Sequence, residues 1–164
     1  MTRRVVALFH SPWPAEGLVR PARSKPLELY RYAVWYKANP RTAGYMRALL
    51  QQRFPDAEWV ATSEQADWVD RLSHADTVIL LYPDAIGLGF GAVERSVQRH
   101  KRDGAAVEVL NGRRRVFPLN NAARLGLRLR RLLEWSMLPE LLFLPVFVVA
   151  TPLLWAVDAL RGRT

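Results

Sequence analysis

Thr77-Val78-Ile79-Leu80-Leu81-Tyr82 runs without a charge into Pro83-Asp84-Ala85-Ile86-Gly87-Leu88-Gly89-Phe90-Gly91, and a helical pattern follows over Ala92–Arg102. The first six residues are β-branched or apolar throughout, as expected of a central strand covered on both faces. A strand, a glycine-rich turn and a helix in succession make the start of a βαβ unit. The same alternation extends outward in both directions. Val5–Phe9 predicts a buried first strand. Leu27–Lys37 and Arg41–Phe54 carry apolar residues at helical spacing, with Met46, Leu49, Leu50 and Phe54 on one face of the second. Glu58–Ala61 predicts a short strand. Thr62-Ser63-Glu64 then opens a helix reaching Leu72, with a hydroxyl placed to cap its free amides. Ala105–Leu110 and Arg114–Pro118 flank Asn111-Gly112, a dipeptide that favours hairpins. The order predicts an α/β domain over residues 1–119, built on a small, mostly parallel, Rossmann-like or flavodoxin-like sheet with flanking helices.

Arginine supplies 21 of the 24 basic residues, against 15 acidic ones, for a net charge of +9. A guanidinium fork suits phosphates, so the excess points to phosphorylated small molecules or anionic lipid headgroups. No zinc-finger spacing or RNP-type aromatic motif is present, and no specific nucleic-acid partner is expected. The chain has no cysteine, which excludes disulfides, thiolate metal sites and a cysteine nucleophile. It also lacks His-x-x-x-His and His-Glu-x-x-His spacings, so no metal site is expected. The apolar run after Arg4 is too short for the core of a signal peptide.

Residues 120–164 differ in character. Over Asn120–Leu133, Leu125, Leu129, Leu132 and Leu133 share one face, while Arg124, Arg128 and Arg131 recur on another. That is the pattern of a helix lying in a membrane interface. Leu141–Val157 then gives 17 residues without a charge, roughly 25 Å of helix. Trp135 and Trp155 sit near its two ends, where indoles favour the interface. Pro139, Pro145 and Pro152 interrupt the run, and arginines lie on both sides of it. The expectation is a proline-broken insertion, re-entrant or spanning, that holds the domain on the cytoplasmic face of the membrane.

The turn after Tyr82 is the expected ligand site, since open α/β sheets bind ligands beyond the carboxyl ends of their strands. Gly87, Gly89 and Gly91 would let a backbone approach a phosphate, and Ser11 sits at the matching end of the first strand. Gly87-x-Gly89-x-x-Ala92 matches a relaxed dinucleotide fingerprint, with Glu108 as a ribose contact. Asp84, Glu94 and His10 are the candidate catalytic groups, as base, nucleophile and titrating side chain. Asp84 with Gly91-Ala92-Val93-Glu94 is loosely similar, over about a dozen residues, to nucleoside-processing α/β enzymes that attack a glycosidic carbon with glutamate. The expected function is binding or turnover of a nucleotide-linked or lipid-linked phosphorylated substrate at the membrane, with glycolipid or envelope-polysaccharide assembly as the setting. The alternative is a non-catalytic subunit that docks or regulates an integral membrane enzyme, and a dinucleotide-binding redox protein ranks third. No cofactor follows from these residues.

Overall fold

Strand β3, Thr77–Tyr82, is buried at all six positions. It lies between two parallel neighbours, β1 (Val5–Phe9) and β4 (Ala106–Asn111). Strand β2 (Glu58–Ala61) adds in parallel to the far edge of β1, and β5 (Val116–Pro118) adds antiparallel to β4. The sheet order is therefore β2-β1-β3-β4-β5. This is a computed structural model describing residues 4–13, 26–136 and 138–162. The helices are α1 (Pro26–Ala38), α2 (Ala43–Arg53), α3 (Trp68–Ser73), α4 (Gly91–His100), α5 (Asn121–Ser136) and α6 (Leu138–Arg161).

Alternation along the strands divides the core in two. Val6, Leu8, Val78, Leu80, Tyr82 and Val109 face one way, where Leu72 of α3, Val93 and Val97 of α4 and Leu127 of α5 meet them. Ala7, Phe9, Ile79, Leu81 and Leu110 face the other way, onto Met46, Leu49 and Leu50 of α2. The sheet is mostly parallel and covered on both faces, which is why β1 and β3 read as unbroken apolar runs.

Local chemistry sets most helix limits. Thr42 Oγ1 accepts from the Tyr45 amide at 3.3 Å and caps α2. Asn39, at φ 47°, ends α1 just before Pro40. The helix expected from Thr62 starts later, at Trp68. Two interactions hold its first residues in a turn instead. The Glu64 and Gln65 amides both donate to the Ala61 carbonyl at 3.1 Å, and Thr62 Oγ1 is 2.9 Å from His10 Nδ1.

The expected hairpin is present, but its turn spans Asn111–Arg115 and the left-handed residue is Arg114, at φ 63°, rather than Gly112. Asn111 holds this turn through Oδ1, which accepts from the Arg113 and Arg115 amides at 3.1 and 3.0 Å. Gly112 serves a close approach: its amide donates to the Tyr82 carbonyl at 2.9 Å, and a Cβ there would collide with the Pro83 carbonyl oxygen.

The chain separates into two units, Met1–Arg128 and Leu129–Thr164, with the division inside α5. In the second unit α6 continues through Pro145 and Pro152 without the break expected from the sequence. A proline removes one amide donor and leaves the rest of the ladder in place. The 20 residues Leu142–Arg161 are long and apolar enough to cross a membrane, with none of the window buried.

Replacing Leu80, fully buried on the α4 side, by Ala should lower unfolding stability by about 2–5 kcal/mol. Leu129→Ala, at a position 55% exposed, should change it by under about 0.5 kcal/mol. Urea titration in mild detergent checks both, and equal effects would contradict the assignment of the core.

Candidate functional site

The turn after β3 is closed by its own carboxylate. Asp84 is 3% exposed and accepts from the amides of Ile86, Gly87 and Leu88 at 2.8, 2.5 and 2.9 Å. Those amides are the ones a bound phosphate would otherwise use. Gly87 and Gly89, at φ 68° and 84°, adopt conformations disfavoured for other residues. A Cβ on Gly87 would lie 2.6 Å from the Tyr82 ring, and one on Gly89 would lie 2.6 Å from Pro12. Both glycines therefore serve close packing. Gly91, the first residue of α4, has no such crowding, since its Cβ would meet only Arg95 Nη1, at 3.7 Å. Glu108, the expected ribose contact, lies on β4 three residues before its end, opposite Ile79 and Pro118.

Glu94 is one turn into α4, 3% exposed, and its carboxylate accepts the Tyr82 hydroxyl proton at 2.5 Å. The Tyr82 ring packs on Phe90 at 4.6 Å, and Phe90 meets His10 edge-on at 5.6 Å. His10 and Glu94 are thus joined through two aromatic rings, with Thr62 holding His10 Nδ1 from the other strand end. Partial burial holds the His10 pKa below the ordinary imidazole value.

Ser11 belongs to a different place. The alternation that turns His10 toward Phe90 turns Ser11 to the α2 side. Its Oγ donates to the Trp13 carbonyl at 3.1 Å and accepts from the Trp13 amide at 3.3 Å. On that side, beyond the carboxyl ends of β1 and β2, lies a cavity of about 770 Å³. Tryptophans 13, 35 and 59 supply aromatic wall, and Arg41, Arg47 and Glu64 supply charge, two positive against one negative. The start of α2, Thr42-Ala43-Gly44, forms another part of the lining, and a Cβ on Gly44 would meet nothing within 4 Å. The Arg47 guanidinium lies 5.8 Å from the centroid of the Trp59 ring, which also stacks on Phe9 at 5.1 Å. Its size is that of an ordinary small-molecule site. Among the described residues, Ser11 is the one expected site residue that lines it. The sequence does carry a signal for its rim: Thr42 as cap, flanked by Arg41 and Arg47 at the start of a helix.

The expected lipid-contact residues Arg124, Arg128 and Arg131 lie on α5, with Trp135 in its last turn, and Trp155 lies on α6. Trp155 is 76% exposed. Among the described residues, no group of three or more His, Asp or Glu is placed to hold a metal ion. The sequence also offers a basic cluster in the loop before α1, Arg20, Arg23 and Lys25, as a phosphate or headgroup contact; it lies outside the described residues. Scanned against protein-family models, curated proteins and solved structures, the chain matches none.

Two outcomes follow. Asp84→Asn leaves one oxygen acceptor for three amides and turns an NH2 group toward them. It should cost about 1–3 kcal/mol in a thermal or urea unfolding measurement. For His10 the lowered native pKa means the unfolded chain takes up the proton first. Its contribution is complete above pH of about 6.5 and is lost as pH falls through the lowered native value. His10→Gln should flatten the dependence of stability on pH below about 6.5; an unchanged slope would show that His10 does not set it.

Proposed function

We propose that this chain is a membrane-attached α/β protein, of flavodoxin-like strand order, that binds a nucleotide-linked or lipid-linked phosphorylated substrate. The cavity beyond β1 and β2 carries the reading. It combines two arginines, which outnumber the one carboxylate of Glu64, with hydroxyls from Ser11, Thr42 and Ser63 and an aromatic wall at the carboxyl edge of a parallel sheet. Guanidinium groups recognise phosphate through paired hydrogen bonds, and the aromatic wall offers contact to a base, a sugar face or a prenyl chain. Order 2-1-3-4-5 is the arrangement in which such sheets place ligands at the strand ends. The apolar α6, with arginines on either side, supports attachment at the cytoplasmic face and a role in glycolipid or envelope-polysaccharide assembly. Glu94 and Asp84, with His10, remain the proposed chemical groups should the bound substrate be turned over.

One observation favours a second reading, a non-catalytic subunit that docks an integral membrane enzyme. Asp84 and Glu94 are each 3% exposed and engaged in bonds that hold the turn.

Uridine diphosphate sugar and polyprenyl phosphate, each added to the full chain in mild detergent, test the binding. One of them should raise the melting temperature, by about 2.7 kcal/mol of added stability at a hundredfold excess over Kd. The double variant Arg41→Ala/Arg47→Ala should abolish the shift. No shift with either probe, or an equal shift in the variant, would remove the reading. Glu94→Gln that binds normally but turns over nothing supports an enzyme. A stoichiometric membrane partner, with no turnover by the chain alone, supports the subunit.

A further inference from the structure

Helix α5 contacts the sheet with the wrong leucine for its four-leucine stripe to be core. Leu127 is 6% exposed and packs in the cluster with Val93, Val97 and Val109. Leu125, Leu129, Leu132 and Leu133 are 60, 55, 67 and 47% exposed. At about 100° per residue those four occupy an arc of about 100°, and Leu127 falls on the opposite side of the helix. Arg128 and Trp135 lie about 40° and 60° beyond one edge of the arc and Arg130 about 60° beyond the other, while Arg124 and Arg131 lie nearer Leu127. A surface helix of a water-soluble domain buries its leucine stripe; this one buries a single leucine from its back and leaves the stripe uncovered.

We propose that α5 is an interfacial helix whose stripe from Leu125 to Leu133 lies in an anionic lipid surface, with its arginines at the headgroups. Two features of the chain select lipid as the occupant. The flanking charge is all arginine, within a chain of net charge +9, and complements anionic headgroups. Ser136 ends α5 and Leu138 begins α6, so the stripe is tethered within a few residues of a helix long enough to span the bilayer. The stripe then sits about 5–10 Å into the boundary between headgroups and acyl chains. This inference goes beyond substrate binding and holds whether or not the cavity takes a phosphorylated ligand.

The absence of cysteine makes the test direct. Single variants Leu129→Cys, Leu132→Cys and Arg130→Cys of the full chain are spin-labelled and reconstituted into vesicles of phosphatidylcholine with phosphatidylglycerol. Labels at 129 and 132 should collide with oxygen more often than with a water-soluble nickel chelate, and the label at 130 should show the reverse. Free access of the chelate to all three overturns the proposal. So does shielding of 129 and 132 from both reagents, which marks a protein cover, and so does dipolar broadening between singly labelled chains, which marks a second copy. In pure phosphatidylcholine, oxygen access at 129 and 132 should fall by about fivefold or more as the arginine–headgroup attraction is lost. Unchanged access there overturns the anionic requirement. Loss of nucleotide or polyprenyl phosphate binding in the same samples would affect the cavity reading alone.

Discussion

Three amides, those of Ile86, Gly87 and Leu88, converge on the Asp84 carboxylate, and the geometry of the sheet's carboxyl edge depends on that convergence. The carboxylate is buried, so the amides supply the polar contacts that water cannot. With the turn held this way, Gly87 comes against the Tyr82 ring and Gly89 against Pro12. The chain then enters α4 with Glu94 positioned to take the Tyr82 hydroxyl. The hairpin after β4 leans on the same region, through Gly112 to the Tyr82 carbonyl and through Asn111 Nδ2 to the Ala85 carbonyl at 3.1 Å. A turn whose amides already surround a fixed negative charge is a poor cradle for a phosphate. The arginines that line a cavity, Arg41 and Arg47, lie instead on the other side of the sheet, with Glu64 in the same lining.

Legibility followed the range of the forces involved. Thr77–Tyr82 read correctly because burial on both faces leaves a continuous apolar run in the sequence itself. The hairpin read correctly in place but not in detail. Asn111 and Gly112 act through tertiary contacts to Ala85, Tyr82 and Pro83, which no dipeptide preference records. Thr62 has the chemistry of a cap, yet its hydroxyl answers His10 from the neighbouring strand. Glycine spacing after β3 gave the location of a tight turn. It gave no information on whether the amides would be open or filled, because that depends on one aspartate rotating inward. The cavity escaped the sequence reading for a related reason. Its wall draws on Ser11, Trp35, Arg41, Trp59 and Ser63, which are far apart in the chain and meet only once β1 and β2 pair.

Neighbouring residues at a strand end can serve opposite sides of a sheet, and His10-Ser11 does so. His10 continues the parity of Val6 and Leu8 and reaches Phe90 on the α4 side. Ser11 continues the parity of Ala7 and Phe9 and reaches the cavity on the α2 side. The sequence groups them as one candidate site, and the pleat separates them. Any chemistry involving both the His10–Glu94 group and a ligand in the cavity has to act across the end of β1.

The C-terminal region makes the same point about helices. A stripe of four leucines reads as a core face or as a lipid face with equal ease, since both media are apolar. What separates them is the fifth leucine. Leu127 alone enters the core, from the far side of α5, and a helix has only one side to give to a core that small. Among the described side chains of α6, Phe143, Phe147, Leu153 and Trp155 are exposed on several faces of the helix. A stripe on α5 is the pattern that the proposed interfacial helix requires, and the apolar α6 is long enough to cross a membrane.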